Sequence, residues 1–137
     1  MDILQHDDGT RLIHKVRAEQ TAHWVVVEWE SIGTEPVQVV VLRSEERHAE
    51  QLAELFAKDT VQTLVYYDSG TSLQDQDVAP DLDLYYTLFA RASDGTWHKQ
   101  DHHHVKTEGD WVIERFEAIP SIAMQVVLNN LEGEVMG

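Results

Sequence analysis

The chain has 137 residues and no cysteine, so it is long enough for one domain with a real core, and neither disulfide nor thiol chemistry is open to it. Asp and Glu number 25 against 10 Lys and Arg, a formal net charge of −15 that argues against nucleic acid and anionic membrane as partners, since no basic stripe neutralises phosphates. The acidity reads as a solvated surface, with life in high salt as the sharper alternative.

The lead-in MDILQHDDGTR is polar and lacks the apolar segment of a secretory signal. The longest β-rich runs, WVVVEW and VQVVVL, fall far short of the ~20 apolar residues of a membrane span. Thr10 to Ala18 alternates weakly and reads as a first strand at a sheet edge. His23 to Glu30 is a stronger strand, with Val25, Val27 and Trp29 sharing one face. After a polar loop, Val37 to Ser44 puts Val37, Val39, Val41 and Arg43 on one side and Gln38, Val40 and Leu42 on the other.

Glu45 to Lys58 breaks the alternation. Ala49, Leu52, Ala53, Leu55 and Phe56 recur at spacings of three and four, which predicts a short amphipathic helix capping an open edge of the core. Thr60 to Tyr67 returns to a strand, closed by the turn Asp68-Ser69-Gly70, and Thr71 to Val78 is a short polar strand. Pro80 to Trp97 holds the central strand. Leu84, Tyr86, Leu88 and Ala90 fall on one face, and Tyr85, Thr87, Phe89 and Arg91 on the other; a strand apolar on both faces is not an edge. His98 to Thr107 is the last strand, and so many short strands joined by turns indicate an all-β sandwich.

The order VVVEWES, VVLRSEE, then TLVYYDSGTSLQDQDVAPDLDLYYTLFARASDGTW resembles a fibronectin type III domain of the bacterial and phage type, over about Thr10 to Thr107. The matching features are Trp29, Arg43-Ser44, Gly70-Thr71-Ser72 with Asp75, and Tyr85-Tyr86 running to Asp94-Gly95. The resemblance implies an immunoglobulin-like sandwich of seven strands in two sheets, used to bind, space or decorate rather than to catalyse. Such domains usually close a corner with a Tyr six residues before the strand-end Ala; here Leu84 holds that place and Tyr85 is the nearest substitute.

The expected organisation is therefore a sandwich over residues 1–108, with a helix inserted at about 45–58, and a C-terminal apolar, helical arm over 109–137. In that arm Val112, Phe116 and Ile119 have helical spacing, as do Met124, Val127, Leu128 and Leu131, with Pro120 between the two pieces. So many large apolar residues need a cover, either the chain's own sandwich or a neighbouring protein. On the second reading Trp111, Ile113, Phe116, Ile119, Met124, Val127, Leu128 and Leu131 form a partner-binding set.

His98 and His102-His103-His104 form a cluster in which His102 and His104 point the same way, a geometry open to a two-His metal pair, but no Cys or carboxylate completes it. Asp75, Asp77, Asp81 and Asp83 lack the spacing of a hand-type calcium loop. No nucleophile elbow or phosphate loop is present, so neither enzyme activity nor a cofactor is expected. The function expected from the resemblance is a structural component of a phage or phage-like particle, assembled in the host cytoplasm with copies of itself or other structural proteins. The alternative is a carbohydrate- or protein-binding module using Trp24, Tyr85, Phe89 and Trp97 as an exposed aromatic platform.

Overall fold

A computed structural model describes residues 10–112 and 122–136. Among these residues seven strands form: β1 (Ile13–Thr21), β2 (Trp24–Ser31), β3 (Val39–Ser44), β4 (Thr63–Asp68), β5 (Ser72–Asp75), β6 (Asp83–Arg91) and β7 (Trp97–Lys106), followed by helix α1 (Ile122–Met136). They make two antiparallel sheets, one of three strands in the order β1-β2-β5 and one of four in the order β4-β3-β6-β7. The all-β sandwich expected from the alternation is present, with β1 at an edge and β6 between β3 and β7.

The period-two pattern sets what lies between the sheets. Val25, Val27 and Trp29 from β2 meet Val39 and Val41 from β3 and Leu84, Tyr86, Leu88 and Ala90 from β6 in one buried cluster. Trp29 is 3% exposed, and its indole N–H donates to the carbonyl of Gly70 at 3.1 Å, so its polar atom is satisfied as its ring is buried. A salt-linked group crosses this core. Arg43 donates to both carboxylate oxygens of Asp75 at 2.8 and 2.7 Å, and the Tyr86 hydroxyl donates to the same carboxylate at 2.8 Å.

The opposite faces of β3 and β6 are apolar too, because they carry a second layer. Val40, Leu42 and Phe89 pack with Ala49, Leu52, Leu55 and Leu131 of α1. This layer differs from expectation in one respect. The helix expected over 45–58 is only a 3-10 turn, Leu52–Phe56, closed by a capping box in which the Glu54 carboxylate accepts the Gln51 N–H at 2.9 Å. The residues before it cannot coil. Ser44 Oγ accepts the Glu46 N–H at 3.0 Å, and the buried Ala49 N–H donates to Thr87 Oγ1 at 3.0 Å, which pins the chain across the sheet.

The corner tyrosine also differs. Tyr85 lies on the outer face, stacked on His104 at 4.9 Å and edge-on to His48 at 5.1 Å, while Tyr86 carries the buried hydroxyl. The chain after β7 stays on the sandwich. Gln20 and Glu108 exchange two hydrogen bonds of 2.7 Å, and Trp111 stacks on His23 and donates to the carbonyl of Val78 at 3.0 Å. A side chain at Gly109 would place its Cβ 2.1 Å from the Trp111 ring, so only glycine permits this approach.

Candidate functional site

Helix α1 lies over the outer face of the four-stranded sheet and is held there by one apolar anchor and one polar clamp. Leu131 is fully buried against Val40, Leu42, Leu52, Leu55 and Phe89, with Leu128 and Val135 partly buried beside it. Near the C-terminal end, the Tyr67 hydroxyl donates to Glu134, whose carboxylate also pairs with Arg91 at 3.4 Å. Burial, and then the adjoining Glu134 carboxylate, push the Tyr67 hydroxyl up to about 12.

Between residues 124–132 of α1, the 3-10 turn and the start of β4 opens a groove of about 500 Å³, walled by Leu55, Phe56, Leu64, Met124 and Leu128, with Gln62 and Glu132 among its polar residues. The volume falls within the ~300–1,000 Å³ usual for binding clefts. Met124 is 43% exposed, and Val126, two residues on and so on the far side of the helix, 50%. Gln62 is itself buried. Its amide N–H donates to the carbonyl of Arg47 at 3.2 Å, but its Oε1 has no hydrogen-bond partner among the described residues.

A second cleft, of about 540 Å³, lies on the other side of the 3-10 turn, with Gln51, Phe89, Trp97, Lys99 and Glu134 in its walls. Beyond it, rings run in a row across the outer face: His104 on Tyr85, Tyr85 against His48, and His48 against His102 at 4.5 Å. Burial foremost, and then the charge of His102, depress the pKa of His48. His104 pairs with Asp83 at 2.8 Å and His103 with Asp101 at 3.3 Å. Among the described residues no three His, Asp or Glu converge to hold a metal ion.

The partner-binding set read from the sequence is therefore divided. Leu131 is taken up by the chain's own sheet and Leu128 is shared between sheet and groove. Met124 lines the groove, and Val127 is half-buried. Trp111 sits apart, on the β1–β2 turn. Ile113, Phe116 and Ile119 lie outside the described residues. The aromatic platform does not assemble. Trp24 belongs to the three-stranded sheet, Phe89 is buried at 2%, and Trp97 is half-covered beside Tyr67. Sequence reasoning missed Gln62 and the groove, since a single glutamine in a polar turn carries no periodic signal.

No protein-family model and no curated protein matches the chain. Solved structures do. A fibronectin type III-like protein from Clostridium thermocellum superposes with a TM-score of 0.50 at 13% identity, over 74% of this chain and 96% of that one. A fibronectin type III domain from a human protein superposes with a TM-score of 0.51 at 17% identity, over 88% and 96%. The fold is fibronectin type III-like. The same sandwich occurs in part of a pectate lyase from Erwinia chrysanthemi, solved with tetragalacturonic acid: the TM-score is 0.50 at 9% identity, over 68% of this chain and 28% of the lyase. At these identities the likeness speaks to the fibronectin type III-like fold, with function left to the site.

Proposed function

We propose that the chain is a non-catalytic protein-binding module, a fibronectin type III-like scaffold whose partner docks at the groove between α1 and the start of β4. The observation that carries this reading is the apolar groove itself, lined by Met124 and Leu128, on a helix whose other end is fixed to the sheet by Leu131 and Glu134. A rigid support beside an apolar groove is the arrangement that lets a few apolar anchors supply most of a binding energy.

Protein is favoured over carbohydrate for two reasons. The aromatic residues that would stack on sugars are dispersed over both sheets and the buried layer. A polygalacturonate of the kind bound by the lyase is a polyanion, and a chain of net charge −15 repels it. The particle-structural role expected from the resemblance finds no counterpart among the similar structures, and the groove reading stands without it.

The test is a photo-crosslinking side chain placed at Met124 and, in a second protein, at Ser93, far along the chain from the groove. A defined protein captured from Met124 alone, and then rebound in purified form, supports the reading. Equal capture from both positions overturns it.

A further inference from the structure

We infer that the occupant of the groove is a cationic amphipathic segment of another protein, one that seats apolar side chains between α1 and β4 and turns Lys or Arg outward. The inference rests on the groove being the docking site and goes on to name the chemistry of what docks there.

Three observations converge. The first is shape. Met124, Gln125, Leu128, Asn129 and Glu132 present one face of α1 to the groove, at the spacing of successive helical turns. From 124 to 132 that face runs about 12 Å, the length of two turns, which suits a helical segment laid alongside with apolar residues at i, i+4 and i+7. The second is the wall facing α1, which Leu55, Phe56 and Leu64 make apolar, so the side of an occupant that enters is its apolar one. The third is charge. Glu132 stands at the groove, and the chain as a whole carries −15. A second copy of the chain would set −15 against −15, so self-docking is opposed at long range, whereas a cationic segment is steered in.

The experiment uses the full chain and three fluorescein-labelled peptides of equal length, read by anisotropy. One has Leu at i, i+4 and i+7 and Lys at the remaining positions. One keeps the Leu and replaces Lys by Glu. One keeps the Lys and replaces Leu by Ser. The Leu/Lys peptide is expected to bind about tenfold or more tighter than either control. Met124→Gln, which removes an apolar wall without adding charge, should weaken it about tenfold, while Val126→Gln, on the same helix but outside the groove lining, should leave it unchanged. Circular dichroism confirms that both variants are folded.

Equal binding of the Leu/Glu peptide leaves the docking site standing and overturns the cationic occupant. Equal binding of the Ser/Lys peptide means bare surface attraction, and overturns the inference. No binding by any peptide overturns the groove reading itself. A dimer in sedimentation that Met124→Gln dissolves makes the occupant a second copy, against the inference.

Discussion

Arg43 and Asp75 face each other from different sheets, with side chains only 11% and 5% exposed. Such a pair has lost most of its hydration, so its strength lies in its completeness: two bonds from Arg43 and one from Tyr86 fill the Asp75 carboxylate. Burial foremost, and then the charge of Asp75, push the Tyr86 hydroxyl well above its ordinary value, which keeps it a donor. We predict that Asp75→Ala costs about 3–5 kcal/mol in urea unfolding, because Arg43 is then buried without a counter-charge. The triple replacement Arg43→Met, Asp75→Leu, Tyr86→Phe should lose far less; a loss as large as the single variant's would show that charge pairing is not the issue. The group was partly legible in the sequence, since Arg43 shares the inward face of Val39 and Val41. What alternation cannot show is that Asp75 lies opposite it, because register between sheets is set by packing and not by period. His48 makes a second prediction at this scale. Its folded pKa lies below the unfolded value of about 6.5, so the neutral ring is the one the fold favours. Its contribution is whole above that value and is lost as pH falls through it toward the depressed one. The melting temperature should drop between neutral and mildly acid pH, and His48→Gln should flatten that drop. An unchanged slope in the variant would assign the dependence to other groups.

Helix α1 and the 3-10 turn show how far periodicity carries at the scale of elements. Met124, Val127, Leu128 and Leu131 foretold a helix from their spacing, and the helix is there. Ala49, Leu52, Leu55 and Phe56 have comparable spacing but form only five residues of 3-10 turn, because Ala49 is tied to Thr87. Spacing was equal in the two stretches and a tertiary hydrogen bond decided between them. The face that α1 covers was also readable, in part, as the second apolar side of β3 and β6. Which segment covered it was not, since any apolar stripe would serve. Leu131→Ala should cost about 2–5 kcal/mol, the range for a buried leucine, by calorimetry or denaturant. The inter-sheet cluster contains no residue of α1, so removal of 109–137 leaves that cluster whole. It does, however, uncover Val40, Leu42 and Phe89. The truncated chain is therefore expected to fold, melt lower and bind a hydrophobic dye; if it unfolds outright, the outer layer is part of one cooperative core. Tyr67 offers a gentler probe of the same contact. With a folded pKa of about 12 against about 10 unfolded, its contribution is full below about 10 and lost as pH rises toward 12. Ultraviolet titration should show late tyrosines, the more deeply buried Tyr86 among them, and Tyr67→Phe should remove one of them.

At the scale of the whole molecule the charge balance dominates. The two layers bury the aliphatic side chains of β3 and β6 on both faces, which leaves the acids to the surface. Several of the 10 cations are already engaged: Arg43 with Asp75, Arg91 with Glu134, Arg17 with Glu28 and Lys15 with Glu30. The exposed pairs among them, Arg17 and Lys15, add little stability each. Most of the 25 acids therefore repel one another across a small surface, a force that opposes the compact state. The Debye length falls from ~10 Å at 0.1 M salt to ~3 Å at 1 M, so added salt removes this repulsion before it touches the buried pair at Arg43 and Asp75. We predict a melting temperature that climbs with sodium chloride up to about molar concentration. Sulfate strengthens apolar burial in any protein, so chloride is the salt that isolates the charge effect. The Leu131→Ala variant, with the same charge and a weakened core, should climb in parallel with the parent. A flat response to chloride would mean that the acids lie too far apart to interact, and with it the long-range argument for a cationic partner would lose its footing.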